Sequence, residues 1–305
     1  MLTNIKPSIV VAGSSNTDMV IKAHHLPAAG ETILGGTFFM NAGGKGANQA
    51  VAVARLGGSV IFIAKTGDDI FGKQAIASFK EEGIDASHIV TDTNHPSGVA
   101  LITVDKNGEN CIVVASGANA VLSAEDIDKA MQQIVEASIV LVQLEIPLET
   151  VAHIVNIAHS NHVTTVLNPA PVCALPDQLL EKISIITPNK KETEMLTGIA
   201  ITSDDTVLQA AQYLHAKGIA TVIITLGMQG AFVLHEGIGK IVKPPVVEAI
   251  DTTAAGDVFN GALVVALSEG FNMVEAVQFA CNAAAISVTR LGAQASAPYR
   301  AEVNQ

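Results

Sequence analysis

The sequence predicts an α/β protein with a doubly wound, mostly parallel sheet flanked by helices. Short apolar runs rich in Val and Ile alternate along the chain with amphipathic segments of helical length. The composition favours the same class, since 49% of the 305 residues are hydrophobic, only 4% are aromatic and none is Trp. A core built from aliphatic side chains is typical of parallel strands that are buried on both faces.

Six short apolar runs bounded by turn residues are predicted to be buried strands. They are SIVVAG (8–13), VIFIAK (60–65), SIVLVQ (138–143), VTTVLN (163–168), ISIITP (183–188) and TVIITLG (221–227). Six amphipathic segments, several of which end at Gly, are predicted to be helices. They cover 44–56, 71–83, 124–137, 148–161, 204–218 and 255–270. Their alternation with the strands predicts right-handed crossover connections.

Two stretches, 19–41 and 95–117, interrupt this rhythm with strand-like alternation. The second contains the turn DKNGEN and has no helical segment between its strands, which is typical of a hairpin. We expect inserted segments at about 15–42 and 95–117 to form a small antiparallel β-sheet lid. The rest of residues 1–305 is expected to be a single domain.

Charge and cysteine content limit the possible partners and the compartment. The formal net charge of −12, without a Lys/Arg run, disfavours binding to nucleic acid. Three dispersed cysteines, Cys111, Cys173 and Cys281, are typical of reduced thiols in a cytoplasmic protein. The segment MLTNIKPSIVVAG has too short an apolar run for a signal peptide, and no run is long enough to predict a membrane helix.

Polar residues follow the first predicted strand in GSSNTD (13–18). The segment lacks the glycines of a dinucleotide-binding fingerprint, because Ser15 and Asp18 occupy two of the glycine positions. Asn16 and Asp18 instead place an amide and a carboxylate at the carboxyl end of a strand, where α/β sheets bind ligands. The alternative is a polar loop without a ligand.

The segment NAGGKGANQA (41–50) is not a Walker A motif, because Phe39 and Gly46 occupy positions that require Gly and Ser/Thr. Its glycines allow a small ligand to approach the backbone, and Lys45 and Asn48 offer donors for hydroxyl groups. A glycine-rich helix start is the alternative.

Two segments are candidates for binding phosphate. In TPNKKETE (187–194), Asn189 and Glu192 lie on one face of a predicted helix and can hold metal-bound water, or Glu192 can simply complement the helix dipole. In TLGMQGA (225–231), Gly227 and Gly230 can admit phosphates or form a hairpin turn.

The segment DTTAAGD (251–257) precedes a long apolar helix. Ala254, Ala255 and Gly256 form a sterically small loop at the helix N-terminus, where free N–H groups favour an anion. Asp257 beside such a site is suited to take a hydroxyl proton during phosphoryl transfer. The alternative is that Asp257 caps the helix.

Taken in order, these segments resemble the ribokinase/phosphofructokinase-B family of carbohydrate kinases. The resemblance extends from Val10 to about Pro298 and includes two signature regions, GGKGANQAVAVARLG and DTTAAGDVFNGAL. The segments LPAAGET, QLEIP, NPAP and VTRLGAQ are most similar to members that phosphorylate ribose. The resemblance implies ATP-dependent phosphorylation of D-ribose at the 5-hydroxyl, with Mg²⁺ and K⁺. A kinase of 2-deoxyribose, fructose or adenosine, and a non-catalytic sugar sensor, are the alternatives.

The resemblance also implies a role for each candidate residue. Asp257 would be the base, and the N–H groups of Ala254, Ala255 and Gly256 would stabilise the transferring phosphoryl group. Ribose would be held by Asn16, Asp18, Gly44, Lys45, Asn48 and Glu145. ATP would be bound by Asn189, Thr225, Gly227, Gly230, Gly256 and Asn282, with Glu192 acting through Mg²⁺ and its waters. The K⁺ site would comprise Asp251, Thr253, Ser287, Arg290, Gly292 and Ser296. The lid would also join two subunits in a homodimer.

Overall fold

The computed structural model describes residues 8–303. Most of the segment MLTNIKPSIVVAG, for which the sequence predicts no signal peptide, lies outside the described residues. Among the helices of residues 8–303, none has both the length and the apolar character needed to cross a membrane.

A nine-stranded sheet forms the centre of residues 8–303. In spatial order its strands are β13 (Ile238–Val242), β12 (Ala231–His235), β11 (Thr221–Thr225), β10 (Ile185–Ile186), β9 (Thr164–Leu167), β8 (Ile139–Val142), β1 (Ser8–Ala12), β4 (Ser59–Gly67) and β5 (Ile89–Asp92). The strands from β11 to β5 are parallel, and β12 and β13 form an antiparallel edge. The predicted mostly parallel sheet is therefore confirmed.

Helices connect the strands and cover the sheet. They are α1 (Lys45–Arg55), α2 (Ile70–Glu81), α3 (Ala124–Asp128), α4 (Met131–Glu136), α5 (Leu148–Ser160), α6 (Asp177–Leu180), α7 (Lys190–Thr197), α8 (Asp204–His215), α9 (Ala255–Ser268), α10 (Met273–Ser287) and α11 (Arg300–Val303). The single helix predicted over 124–137 is wrong. The chain forms α3 and α4 there, because the backbone leaves helical geometry at Ala130, with φ −110° and ψ 12°.

The sheet is buried on both faces, as a doubly wound fold requires. Alternate residues of β1 enter different cores: Ile9 and Val11 pack with α1, α9 and α10, whereas Val10 and Ala12 pack with α5 and α8. Because strand side chains alternate between faces, a central strand covered on both sides must be apolar throughout. The continuous run SIVVA has this pattern.

A separate four-stranded sheet contains both inserted segments. Its order is β3 (Thr37–Gly43), β2 (Asn16–Lys22), β6 (Gly98–Val104) and β7 (Asn110–Ala115). The hairpin predicted in the second insertion is present as β6/β7, and β2 and β3 of the first insertion also pair antiparallel. The predicted small antiparallel sheet is therefore confirmed, although its two central strands, β2 and β6, pair in parallel. These two strands begin the two insertions and run in the same direction.

The order of the large sheet reverses beside β1, which lies between β8 and β4. In open α/β sheets, a crevice that binds ligands forms outside the carboxyl ends of the strands at such a point. The segments that follow β1 and β8 begin at Gly13 and Gln143, respectively. The fold therefore brings GSSNTD and QLEIP to one crevice.

Candidate active site

Helices α1 and α9 cross in close contact, and this crossing positions the candidate base. A Cβ atom on Gly261 would lie 2.6 Å from the Cβ of Ala52, so the approach requires a glycine. One turn earlier in each helix, Nδ2 of Asn48 donates to Oδ2 of Asp257 over 2.9 Å. Nε2 of Gln49 donates to Oδ1 of Asp257 over 2.9 Å. Two consecutive amides of GGKGANQA therefore hold the last residue of DTTAAGD.

The Asp257 carboxylate is buried, with 6% of the residue exposed. Burial raises the pKa of Asp257 above its ordinary value, whereas Lys45 and the two amide donors oppose the rise. The N-cap of α9 is Ala254, and no side chain caps this helix. Because the Asp257 carboxylate accepts from α1 rather than from its own helix, the capping alternative is wrong.

The N-terminus of α9 offers an open site for an anion. Ala254 has a left-handed backbone with φ 58°, and a Cβ atom on Gly256 would meet nothing within 4 Å. Within residues 8–303, the N–H groups of Ala254 and Gly256 donate to no acceptor, whereas Ala255 N–H makes a long contact of 3.3 Å to the Thr252 carbonyl. Free N–H groups at a helix N-terminus attract negative charge, so two of the three predicted donors are available.

A cavity of about 420 Å³ lies at the junction of the two sheets. Its lining includes Asn16, Glu145, Val114, Asn119, Leu144 and Pro171. Glu145 accepts from Ser14 Oγ over 2.5 Å and from Lys45 N–H over 3.0 Å. This carboxylate, which lies in the segment after β8, therefore connects the segment after β1 with the start of α1 at the cavity wall.

Asp18 lies close to a second carboxylate, Glu145. Burial of Asp18, followed by the charge of Glu145, raises the pKa of Asp18 from 3.8 to about 6. A Cβ atom on Gly43 would lie 2.4 Å from Asp18 Oδ2, so glycine leaves room for this carboxylate. Asp18, Glu145, Lys45 and Asp257 also interact electrostatically in one cluster. The structure thus brings together three of the predicted sugar-binding residues, Asp18, Lys45 and Glu145, with the candidate base.

Asn189 and Glu192 form a reciprocal capping box at the start of α7. Glu192 N–H donates to Asn189 Oδ1 over 2.9 Å, and Asn189 N–H donates to Glu192 Oε2 over 2.7 Å. The two residues therefore also have a structural role, because they stabilise the start of α7. Burial raises the pKa of Glu192, Lys45 opposes this, and Asp257 adds repulsion. Glu192 therefore also belongs to the electrostatic cluster around Asp257.

The segment TLGMQGA is a turn in the β11–β12 hairpin. Gly230 has φ 95°, and a Cβ atom there would lie 2.0 Å from the Val242 carbonyl oxygen, so its glycine has a structural cause. Gly227 has φ 60° with nothing within 4 Å of its Cβ position. Thr225 pairs with Asn189 in a parallel bridge, which brings the hairpin beside α7. Asn282 lies on α10, where its Oδ1 accepts from Gln278.

Asp251 connects the loop before α9 to the loop after α10. Its Oδ1 accepts from Thr253 N–H over 2.9 Å, and its Oδ2 accepts from Gly292 N–H over 2.9 Å. Burial raises the pKa of Asp251, but the hydrogen bonds from Thr253 and Gly292 lower it below its ordinary value. The Oγ atoms of Ser287 and Ser296 donate to local carbonyls, and Arg290 pairs with Glu302. In residues 8–303, no cluster of three His, Cys, Asp or Glu side chains could hold a metal ion.

The chain is similar to known proteins along nearly its full length. The family model described as pfkB family carbohydrate kinase matches residues 6–300. The chain belongs to this family. A relative named ribokinase from Haemophilus influenzae is 48% identical over 298 residues, which cover 98% of this chain and 97% of the relative. A relative named deoxyribokinase from Salmonella typhimurium is 36% identical, with 97% of each chain covered.

Solved structures of pfkB-like kinases have the same fold. A structure described as Arabidopsis thaliana ribokinase complexed with ribose and ATP has a TM-score of 0.93 and 32% identity, with 98% of each chain covered. A structure described as ribokinase from Thermotoga maritima has a TM-score of 0.90 and 40% identity, also with 98% of each chain covered. The likeness therefore includes both the large and the small sheet.

Sequence reasoning missed two residues at this pfkB-family site. Asn119 donates through Nδ2 to Asn16 Oδ1 over 2.8 Å and accepts at Oδ1 from Ser15 N–H over 2.9 Å. It lies on a short 3₁₀ turn after the second insertion, and no sequence pattern marks it. Gln49 was passed over in favour of Asn48, although consecutive polar residues inside an otherwise apolar helix are a signal of buried hydrogen bonding.

Proposed function

We propose that this protein phosphorylates D-ribose at the 5-hydroxyl, with ATP as the phosphoryl donor. The observation that carries the proposal is the buried Asp257 carboxylate beside the open N-terminus of α9, held by two amide donors from α1. The family and the relatives named ribokinase support the same reaction. The Arabidopsis structure, described as a complex with both ribose and ATP, supports the substrate pair.

Asp257 acts as the base in this proposal. Its oxygens each accept one amide N–H, and a carboxylate has further lone pairs with which to take the proton of a hydroxyl group. The N–H groups of Ala254 and Gly256, with Ala255 between them, stabilise the negative charge of the transferring group. The open space beside Gly256 fits a phosphate, because no side chain occupies the cradle.

The sugar binds in the cavity at the junction of the sheets. Asn16, Asp18, Gly44, Lys45, Asn48 and Glu145 supply its polar contacts. Because Asn119 occupies Oδ1 of Asn16, the remaining amide nitrogen of Asn16 presents a donor to the sugar. The two carboxylates, Asp18 and Glu145, present acceptors. A set of donors and acceptors that matches every hydroxyl discriminates strongly against a sugar that lacks one of them.

The nucleotide binds along α7 and the β11–β12 hairpin. Asn189, Thr225, Gly227 and Gly230 border this region, and Asn282 of α10 is proposed to contact the nucleotide as well. Glu192 fits a role near Mg²⁺, because it is a half-buried carboxylate within electrostatic range of Lys45 and Asp257. When bound, Mg²⁺ would neutralise phosphate charge. Glu192 would hold its waters while it caps α7.

A monovalent cation, K⁺, is proposed to bind at the junction of the loops before α9 and after α10. Asp251 supplies the negative charge, and the carbonyls of Thr253, Ser287, Arg290 and Gly292 with Ser296 supply the other oxygens. Oxygen donors of this kind fit a hard cation. Because Asp251 is joined to Thr253, the bound cation would hold the loop that leads into the anion site.

The small sheet is proposed to be a lid on a single domain, and its outer face to join two subunits. Strand register places Asn16 and Asp18 on the cavity face and five exposed apolar residues on the opposite face. These five are Ile21, Phe38, Met40, Leu101 and Val113. A contiguous apolar face of this kind is typical of an interface.

Exposed Cys111 and Cys173 favour a reducing compartment, the cytoplasm.

A coupled assay of ADP release tests the proposed reaction. The purified protein would be offered ribose, 2-deoxyribose, fructose and adenosine at equal concentrations, with ATP, Mg²⁺ and K⁺. We expect the largest kcat/KM for ribose. A larger kcat/KM for 2-deoxyribose would favour the activity named for the Salmonella relatives. Sugar binding without turnover would identify a sensor.

A further inference from the structure

A chain of buried amide side chains leads from the carboxyl end of β8 to Asp257. Gln143 Nε2 donates to Gln49 Oε1 over 2.5 Å. Gln49 Nε2 in turn donates to Asp257 Oδ1 over 2.9 Å and to Asn168 Oδ1 over 3.2 Å. Gln143 and Gln49 are 0% exposed, and Asn168 is 6% exposed. Burying so many amide groups is unfavourable unless their hydrogen bonds are made, so this network requires an explanation.

The amide network requires a glycine at position 13. A Cβ atom on Gly13 would lie 2.0 Å from Gln143 Oε1 and 2.9 Å from the Cα of Gly46. Glycine at position 13 therefore allows β1, α1 and the Gln143 side chain to meet. The first residue of GSSNTD thus leaves the space that the Gln143 side chain occupies.

The hydrogen bonds fix the direction in which the Gln49 amide points. Its oxygen accepts from Gln143, and its nitrogen donates to both Asp257 and Asn168. If the amide were reversed, its oxygen would face two acceptor oxygens and its nitrogen would face the nitrogen of Gln143. An N–H donor is therefore held against Asp257 Oδ1.

Some charged groups around Asp257 stabilise its ionised carboxylate, and others destabilise it. Lys45 of α1 attracts the carboxylate, whereas Glu145 after β8 and Glu192 of α7 repel it. Burial further disfavours the ionised form. The amide donors therefore act together with Lys45 to favour the charged carboxylate, which is the form that can accept a proton.

We propose that Gln49, held in place by Gln143 and Asn168, is a positioning residue that keeps the Asp257 carboxylate ionised and fixes its orientation. The inference rests on the proposed role of Asp257 as the base. Asn48 holds the other oxygen, so two donors on two oxygens prevent rotation of the carboxylate. Gln49 acts through Asp257 and needs no contact with the sugar.

The pH dependence of kcat/KM for the sugar tests this inference in Gln49→Glu and Gln49→Leu. Gln49→Glu replaces the donor with a second carboxyl group, and like charges disfavour ionisation. We expect its acid limb to move to higher pH by roughly one unit, so that kcat/KM at pH values well below the limb falls by up to roughly tenfold. Raising the pH should restore part of the activity. KM should change by less than about threefold. Gln49→Leu should shift the limb in the same direction but by less.

Controls separate positioning from loss of folded protein. Gln212→Glu makes the same chemical change on the exposed surface of α8 and should leave the profile unchanged. If Gln49→Glu fails to fold, Gln49→Leu and Gln143→Leu decide, since Gln143→Leu frees the Gln49 amide to reverse. An unchanged acid limb in every folded variant overturns the inference, because a structural role would lower only the active fraction.

Asp257→Asn, measured in parallel, distinguishes this inference from the proposed function. Near-normal turnover of Asp257→Asn would refute the base assignment itself. If Asp257→Asn is inactive and the acid limb of the Gln49 variants is not shifted, Asp257 remains the proposed base and only the role of Gln49 is refuted.

Discussion

Nδ2 of Asn48 lies 2.9 Å from Oδ2 of Asp257, which joins two residues that are 209 positions apart in the sequence. The contact connects the two glycine-rich signature regions at one point. It exists because Gly261 lets α9 approach Ala52 of α1. The packing of two helices therefore determines where the candidate base stands relative to the sugar-binding residues.

Asp257→Asn should lower kcat by roughly 100- to 10,000-fold, because an amide cannot take the hydroxyl proton. The affinity for ribose, measured by calorimetry, should change little, since Asn48 and the other polar groups remain. Asp205→Asn is a matched control, because Asp205 is an exposed carboxylate in the first turn of α8. A variant at position 257 with nearly normal kcat would contradict the base assignment.

Gly256→Ala should separate stability from activity. A Cβ atom at this position meets nothing in the protein, and alanine favours a helix over glycine by up to about 1 kcal/mol. The Tm should therefore be unchanged or slightly higher. The kcat should fall, because the methyl group enters the space proposed for the phosphate. Thermal unfolding and steady-state kinetics on one preparation check both parts, and normal kcat would show that phosphate binds elsewhere.

Most of the large sheet could be predicted from the sequence, because fully buried strands such as SIVVA and TVIIT are continuous apolar runs bounded by turns. α10 was missed because its sequence, MVEAVQFACNAAAIS, is apolar on nearly all sides and has little helical periodicity. The parallel pairing of β2 with β6 was missed because strand alternation carries no information about direction.

The candidate site could be predicted only in part. Asp18 was identified because it follows a predicted strand, and Asp257 because it lies at the small-residue start of a predicted helix, whereas Glu145 was identified only by the resemblance to the family. Gln49 and Asn119 act by holding other side chains. Such contacts depend on tertiary packing between elements that are distant in sequence. The polar pair in α1 therefore indicates buried hydrogen bonding but not its partners, and no local pattern marks Asn119.

Asp18→Asn should raise the Tm of the ligand-free protein above pH 6. The pKa of Asp18 is raised to about 6 in the folded protein, so the folded state binds a proton more tightly than the unfolded state. Stability is therefore lost as pH rises from about 4 through about 6, and asparagine avoids this loss. Since one pKa unit corresponds to about 1.4 kcal/mol, the gain is at most roughly 3 kcal/mol. Thermal unfolding at pH 4 and pH 8 tests this prediction. An equal rise in Tm at both pH values would contradict it.

The same substitution should weaken sugar binding. Hydrogen bonds to a charged group contribute more than neutral ones, so KM for ribose should rise by roughly 10- to 100-fold. In the unsubstituted protein, KM should also rise as pH falls through about 6, because Asp18 becomes protonated there. KM values measured between pH 5 and pH 8 would test this. A KM in Asp18→Asn that matches that of the unsubstituted protein would exclude Asp18 from the sugar site.

Replacing K⁺ with Na⁺ at constant ionic strength should lower kcat, because a smaller cation fits the proposed oxygen cage less well. Asp251→Asn should abolish the difference between the two cations, since Asp251 supplies the charge of the site. Lys73→Gln, which breaks an exposed ion pair with Asp68, should retain it. Rates that do not depend on the cation in the unsubstituted protein would remove K⁺ from the proposal.

Val113→Lys should convert a lid-mediated dimer into monomers. Val113 is 63% exposed on the outer face of the small sheet, beside Leu101 in the strand register. A lysine there would place a charge in the proposed apolar interface, where desolvation is costly. Ile238→Lys, at a 71% exposed position on the edge of the large sheet, is the matched control. Sedimentation velocity measures the outcome, and a dimer that persists in Val113→Lys but dissociates in Ile238→Lys would place the interface on β13 instead.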